Sequence, residues 1–425
     1  MNKALLFSVL VFFSLVKPIE GAVIKYYFVF GLVFIITVVF LITMTRSGLW
    51  LKHWNAHRME IVIFVGFLGF YVLAVLMHLS AYASWFEVAN YGTRTIMLYS
   101  VLFMTWIVFS ERSPSESISP ALVVMIGLNV VAILQFFAYD TVRWLTSFFV
   151  SSDAVRFAEQ YPDLHDWGGA SHVISLFRWH TIYGVVAGLL VVYAIGKLFF
   201  DQTDKVQKML LIVLGGTALL GGSFSESKNF FLTLGIGFLG TLMKLPRKQK
   251  RALISIGIGA VVIFHVFAWF SPNLASQWSD GLPYLEKIQK REIVGWGDLV
   301  PKTDVLTGRQ ALWTRAVELW EEDRWIGVGP GVYKLQSGFE RRYNTHNLIF
   351  QTLVDTGLIG LAILLLLLFL IVRQIRDPVI FSLFLGALAS QLFDYFLDYS
   401  IGFVVILAWL LSKSGLGVKE KSTPH

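Results

Sequence analysis

The residues of this chain best suited to chemistry lie between 307 and 360, in TGRQALWTRAVELWEEDRWIGVGPGVYKLQSGFERRYNTHNLIFQTLVDTGLIG. Arg309 follows a glycine and precedes Trp313, while Arg341 and Arg342 stand just ahead of His346. A guanidinium presents a rigid fork of donors that matches phosphate oxygens and stays charged at physiological pH. Histidine is the side chain whose ordinary titration lets it take a proton near neutrality. Arginines around one histidine therefore point to a phosphate-bearing substrate with proton removal beside it. The same residues also admit a structural reading. His346 would then cap a helix opening near Asn347, and the arginines would reach toward lipid headgroups.

Three smaller groups join these. Lys228 and Glu226 lie in SFSESKNFF at 223–231, in a turn between two apolar runs. Ionisable groups at such depth are costly and tend to be functional, although a solvated hairpin tip would carry them equally well. Arg178 stands in SLFRWHTIYG beside Trp179 and His180, at the start of another apolar run. Asp394 and Asp398 are four apart, which places them on one face if that stretch is helical. They would then suit sugar hydroxyls, a cation or a proton path. No P-loop, nucleophile elbow, H-E-x-x-H or dinucleotide fingerprint occurs, so ATP hydrolysis and serine-hydrolase chemistry are not first choices. Cysteine is absent, which excludes disulfides, thiolate nucleophiles and Cys-ligated metals. Carboxylates with metal-ligand spacing are lacking as well, so the sequence predicts neither a catalytic metal nor a cofactor.

The elements that must position these groups are membrane helices. Apolar residues make up 56% of the 425, and mean hydropathy is +0.66. A soluble protein of that size could not bury so much apolar surface. Runs near the 20 residues needed to cross a bilayer are predicted at 4–19, 25–44, 60–80, 94–110, 118–138, 180–200, 208–224, 229–244, 252–271, 351–372, 378–393 and 399–413. The first could be a signal peptide, but the residues after it lack a small-x-small cleavage site, so an uncleaved helix is expected.

The net charge of +7 is not a nucleic-acid signal, because the cations sit in short loops between apolar runs. Arg46, Lys52 and Arg58 mark one such loop, and Arg112 the next. Lys197, Lys205 and Lys208 form another, then Lys244, Arg247, Lys248, Lys250 and Arg251, then Arg373 and Arg376, and finally the tail with Lys413, Lys419 and Lys421. Every second connection is basic. By the positive-inside rule this predicts twelve helices with both termini in the cytoplasm. Two long connections, about 139–179 and 272–350, then face outward. In the longer one, Leu312, Ala316 and Leu319 fall at helical spacing, and Gly327, Gly329, Pro330 and Gly331 break the pattern. That helix is expected to lie along the membrane surface, with its tryptophans at headgroup depth. The expected organisation is helices 1–9 over 1–271, the long outer loop over 272–350, and helices 10–12 with the tail over 351–425.

Three spaced motifs carry a resemblance: Gly308-Arg309…Trp313, then Trp325…Gly327…Gly329-Pro330-Gly331, then His346-Asn347…Gly357…Gly360 before an apolar helix. Together they resemble the bacterial O-antigen ligase and O-antigen polymerase superfamily, over about 130 residues from roughly 223 to 360. The ligases also carry R-x-x-x-L on an earlier outer turn. Here that place reads Lys228-Asn-Phe-Phe-Leu232, with lysine where arginine is expected, so the charge is kept and the fork is lost.

The resemblance implies an all-α, GT-C-like integral protein of the bacterial inner membrane whose active site faces the periplasm. Its substrates would be an undecaprenyl-diphosphate-linked glycan donor and a lipid A-core or glycan acceptor, met among membrane lipids and without nucleic acid. The implied reaction is metal-independent, inverting transfer of a polysaccharide to a sugar hydroxyl. His346 would be the base. Arg309, Lys228 and Arg178 would hold the diphosphate, with Asn347, Trp313, Arg341 and Arg342 in support. A polymerase joining carrier-linked repeats is the nearest alternative, and a polysaccharide transporter the next. A transporter should carry internal repeats, and none is apparent in this sequence.

Overall fold

The computed structural model describes residues 22–46, 48–110, 120–150, 173–177, 180–201, 203–225, 227–270, 309–338, 344–375, 377–395 and 400–413, with isolated positions elsewhere. Among these residues the regular secondary structure is all helical. The predicted runs appear as α1 (Ala22–Arg46), α2 (Leu49–Met77), α3 (Arg94–Ser110) and α4 (Pro120–Phe137), with a short α5 (Tyr139–Phe149) after them. Next come α6 (His180–Phe200), α7 (Lys205–Phe224), α8 (Lys228–Lys244) and α9 (Arg247–Phe270). Beyond these stand α10 (Arg309–Glu322), α11 (Val332–Gln336), α12 (Leu348–Gln374), α13 (Pro378–Phe393) and α14 (Ile401–Lys413). The expected run at 4–19 lies outside the described residues except for isolated positions. Lys52 and Arg58, expected in a loop, are instead on the first turns of α2.

Among the described residues, four helices are long and apolar enough to cross a membrane, and a fifth joins them if the bent pair Trp85–Gly92 and Arg94–Phe109 is one span. This is fewer than the expected twelve. Several others, such as Pro378–Phe393, are apolar but shorter than a full crossing. Apolar side chains on the outside, among them Ile35, Val65, Leu239 and Phe369, are those of a helical membrane protein rather than a soluble one.

The helix α6 is enclosed over most of its length, with the residues from Ile182 to Ala194 buried. It packs against α7, α8 and α13, and α8 in turn packs along α13. Small residues permit these close approaches. A Cβ on Gly188 would crowd Thr233 and the Phe230 carbonyl, and one on Gly386 would crowd the Thr233 carbonyl. A second layer packs α14 and α1 on α3, and α2 on α12.

Non-helical backbone enters the bundle at 173–177, just before Arg178. Gln135 holds it there. Its Oε1 accepts from the amides of Ile174 (3.1 Å) and Ser175 (2.7 Å), and its Nε2 donates to the Ser175 carbonyl (2.8 Å). Buried backbone of this kind is tolerated only where its polar groups are satisfied.

Candidate functional site

The site forms where α12 begins and α13 ends. Asn347 opens α12: its Oδ1 accepts from the amides of Ile349 (2.8 Å) and Phe350 (3.1 Å). Its Nδ2 donates to the carbonyl of Leu392 at 2.7 Å, which ties the cap to the last turn of α13. The helix cap is thus Asn347 and not His346.

His346, one residue before the cap, has φ 52°. That left-handed conformation is uncommon outside glycine and costs of order 1–3 kcal/mol, so it persists only where the surroundings fix it. Several contacts do so. The His346 amide donates to Asn344 Oδ1 at 2.9 Å. The Thr345 hydroxyl donates to the Asn347 carbonyl at 2.9 Å. Trp313 Nε1 donates to the Thr345 carbonyl at 2.9 Å, and the Trp313 ring stacks on Phe350 with centroids 5.4 Å apart.

The imidazole meets a carboxylate. His346 Nδ1 lies 2.7 Å from Asp394 Oδ1. The Asp394 side chain is 4% exposed, so its charge must be met inside the protein. Asn229 Nδ2 donates to Asp394 Oδ2 at 3.5 Å, and an Arg309 guanidinium nitrogen stands 4.0 Å from the same oxygen. A carboxylate on Nδ1 holds that nitrogen protonated, directs the basic lone pair to Nε2, and steadies the imidazolium once a proton is taken. The Arg309 contact is long for an ion pair.

Asp394 and Asp398 were expected on one helical face. Instead α13 ends at Phe393, Asp394 has extended backbone (φ −159°), and Asp398 lies outside the described residues. Lys228 is exposed at the first residue of α8, and it is the next residue, Asn229, that turns inward to Asp394. Arg178, Arg341, Arg342 and Glu226 lie outside the described residues. Asn229 and Asn344 join the site without any mark in the sequence, since nothing in local spacing distinguishes a buried amide. Among the described residues, no three His, Asp or Glu side chains converge as a metal-binding group.

The glycine motifs prove to be one backbone joint. Gly357 (φ 61°) interrupts α12, and Gly327, Gly329 and Gly331 also have positive φ. The amides freed by the break are taken up by the chain around Gly327. Leu358 donates to the Arg324 carbonyl at 2.9 Å and Ile359 to that of Trp325 at 3.2 Å. In return the Val328 amide donates to the Val354 carbonyl at 2.8 Å. A Cβ on Gly357 would collide with the Trp325 backbone, which is why glycine stands there.

The expected apolar face of α10 is present, and it packs against the protein itself. Leu312, Ala316 and Leu319 are buried against Tyr82, Val328, Val332, Tyr333 and Val354. Trp313 accordingly turns toward His346's loop, whereas Trp325 is 65% exposed. The Tyr82 hydroxyl donates to the Pro330 carbonyl at 2.6 Å, and Tyr333 to that of Leu312 at 2.9 Å. Burial pushes both phenols well above their ordinary range, with the Asp355 charge adding to the effect on Tyr82, so both remain neutral donors.

No curated protein matches the chain as a relative. The family model described as O-antigen ligase matches residues 209–365. That stretch contains Lys228, Asn229, Arg309, Trp313, His346 and Asn347, and stops short of Asp394. Over residues 209–365 the chain is therefore similar to the O-antigen ligase/polymerase superfamily.

Proposed function

We propose that this chain is a glycan ligase of the bacterial inner membrane. It moves a polysaccharide from undecaprenyl diphosphate to a sugar hydroxyl of lipid A-core at the periplasmic face. Residues 272–350 form the periplasmic catalytic loop. The observation that carries this reading is the pairing of His346 with buried Asp394, with Arg309 beside the same carboxylate.

In the transfer, the acceptor oxygen bonds to the anomeric carbon while the bond from that carbon to the diphosphate oxygen breaks. The hydroxyl proton passes to Nε2 of His346, and the electron pair leaves on undecaprenyl diphosphate. Attack from the face opposite the leaving group inverts the anomeric centre. Arg309 meets the charge that develops on the diphosphate, with Lys228 and Arg178 as further cations and Arg341 and Arg342 in support. Asp394 keeps the imidazole oriented, Asn347 and Trp313 hold the backbone on either side of it, and no metal is required. The energy of the step resides in the diphosphate bond.

A second reading, polymerisation of carrier-linked repeats, is favoured by one feature: Lys228 stands where the ligases carry arginine. A deletion strain separates the two on a lipopolysaccharide gel. Loss of every long chain, with carrier-linked polymer accumulating, is the expected result. A core bearing a single repeat overturns the ligase in favour of the polymerase. Unchanged lipopolysaccharide overturns both.

A further inference from the structure

The strained loop at His346 is held from below by two buried polar side chains of α12. Gln351 Oε1 accepts from the Thr345 amide at 3.0 Å, and Gln351 Nε2 donates to Asp355 Oδ1 at 2.9 Å. The same Asp355 oxygen accepts from the Gly331 amide at 3.1 Å. Gln351 is 2% exposed and Asp355 1%. Their spacing of four puts both on one face of the first turns of α12, so the pair spans from the 327–331 loop to the residue before His346.

Burying an amide and a carboxylate at a membrane edge is expensive, and a leucine at 351 would fill similar volume without that penalty. What leucine cannot supply is direction. The Gln351 amide grips the Thr345 N–H while Trp313 grips the Thr345 carbonyl, so both backbone polar groups of that residue are fixed. With Thr345 fixed, the left-handed turn at His346 is set, and the imidazole is delivered to Asp394. Because Asp355 also binds Gly331, the bridge ties the break after α10 to the base loop. It sets the separation between the element that carries Arg309 and the one that carries His346.

We infer that Gln351 is a positioning residue for proton transfer, held in its working orientation by Asp355. This rests on the reading of His346 as the base. Neither side chain meets substrate; both act through Thr345 and the Gly331 loop. A displacement of the base by about 1 Å can cost on the order of a hundredfold in rate, so loosening this bridge lowers turnover while the donor and acceptor are still bound.

The test uses the purified full-length chain in nanodiscs, with undecaprenyl-diphosphate-linked O-polysaccharide as donor and lipid A-core as acceptor. Gln351→Leu should lower kcat by about a hundredfold, while the KM for each substrate stays within about twofold of wild type. Gln351→Glu sets a second carboxylate against Asp355 and should lower kcat similarly. In the Asp355→Asn background, where an amide can donate to the introduced carboxylate, the same change should cost only about threefold, a coupling that a double-mutant cycle measures.

A Gln351→Leu loss expressed in KM alone overturns the role. So do wild-type kcat values in both Gln351 variants, or additive costs in the cycle. If Gln351→Leu does not fold, the cycle decides. His346→Ala run in parallel separates the two readings. Wild-type turnover in that variant removes the base, and with it this role. An inactive His346→Ala beside fully active Gln351 variants removes the positioning role alone.

Discussion

His346 Nδ1 and Asp394 Oδ1 lie 2.7 Å apart, although 48 residues separate them. One stands just ahead of the cap of α12 and the other just past the end of α13, so each sits outside the helix it adjoins. The hydrogen bond from Asn347 to the Leu392 carbonyl brings those two ends together. The contact between His346 and Asp394 is therefore built by a helix cap, and its worth can be read from paired variants.

Asp394→Asn should keep the fold and lower turnover into the range a general base contributes, about a hundredfold to ten-thousandfold. The double variant with His346→Ala should be no slower than His346→Ala alone, because the two side chains act as one unit. Turnover measured on the four purified proteins decides. Additive losses would mean that Asp394 acts on something other than His346.

The left-handed backbone at His346 gives a second prediction. His346→Gly should unfold at higher temperature than His346→Ala, since only glycine accepts φ 52° without a penalty of roughly 1–2 kcal/mol. Both should be slow. Thermal unfolding in detergent reports the stability, and the transfer assay reports the activity.

Arg309→Lys keeps the charge and loses the fork. The expected loss is that of a charge-assisted hydrogen bond, about 1.5–3 kcal/mol, or roughly tenfold to over a hundredfold in transfer. Lys228→Arg installs the residue that resembling ligases carry, on an exposed position, and should be tolerated. Full activity of Arg309→Lys in the purified assay would remove Arg309 from the diphosphate site.

Gly357→Ala should destabilise by more than about 1–3 kcal/mol, because it adds strain at a positive φ to a collision with the Trp325 backbone. Gly235, within α8, offers a control: nothing lies within 4 Å of a Cβ there. Gly235→Ala should be neutral or stabilise by about 0.5–1 kcal/mol. Detergent melting curves of the two variants compare them directly.

Topology can be tested because the chain has no cysteine. Gln336→Cys, at an exposed position, should react with an impermeant thiol reagent in intact spheroplasts. Lys248→Cys, exposed on the first turn of α9 within the basic segment, should react only after lysis. The opposite pattern would invert the proposed orientation.

Most of the helices were legible in the sequence because a bilayer demands long apolar runs, and composition alone records those. The basic connections predict an orientation in the same local way. The spacing of Arg309, Trp313, the glycines and His346-Asn347 was legible too, and it was enough to mark the family segment. The sequence could not say that Gly357 breaks α12 so that the Gly327 loop can cap it, because the partners in that joint are backbone groups of distant residues. It could not place Asp394, which reads as a helical residue and is instead the extended residue that receives His346. Asn229, Gln351 and Asp355 were invisible for a related reason: a buried polar group is set by what it meets across the fold, and periodicity records only which face it is on. Local chemistry was written along the chain. The meeting of His346, Asp394 and Arg309 was decided by packing, because it needs the ends of α8, α10, α12 and α13 at one point.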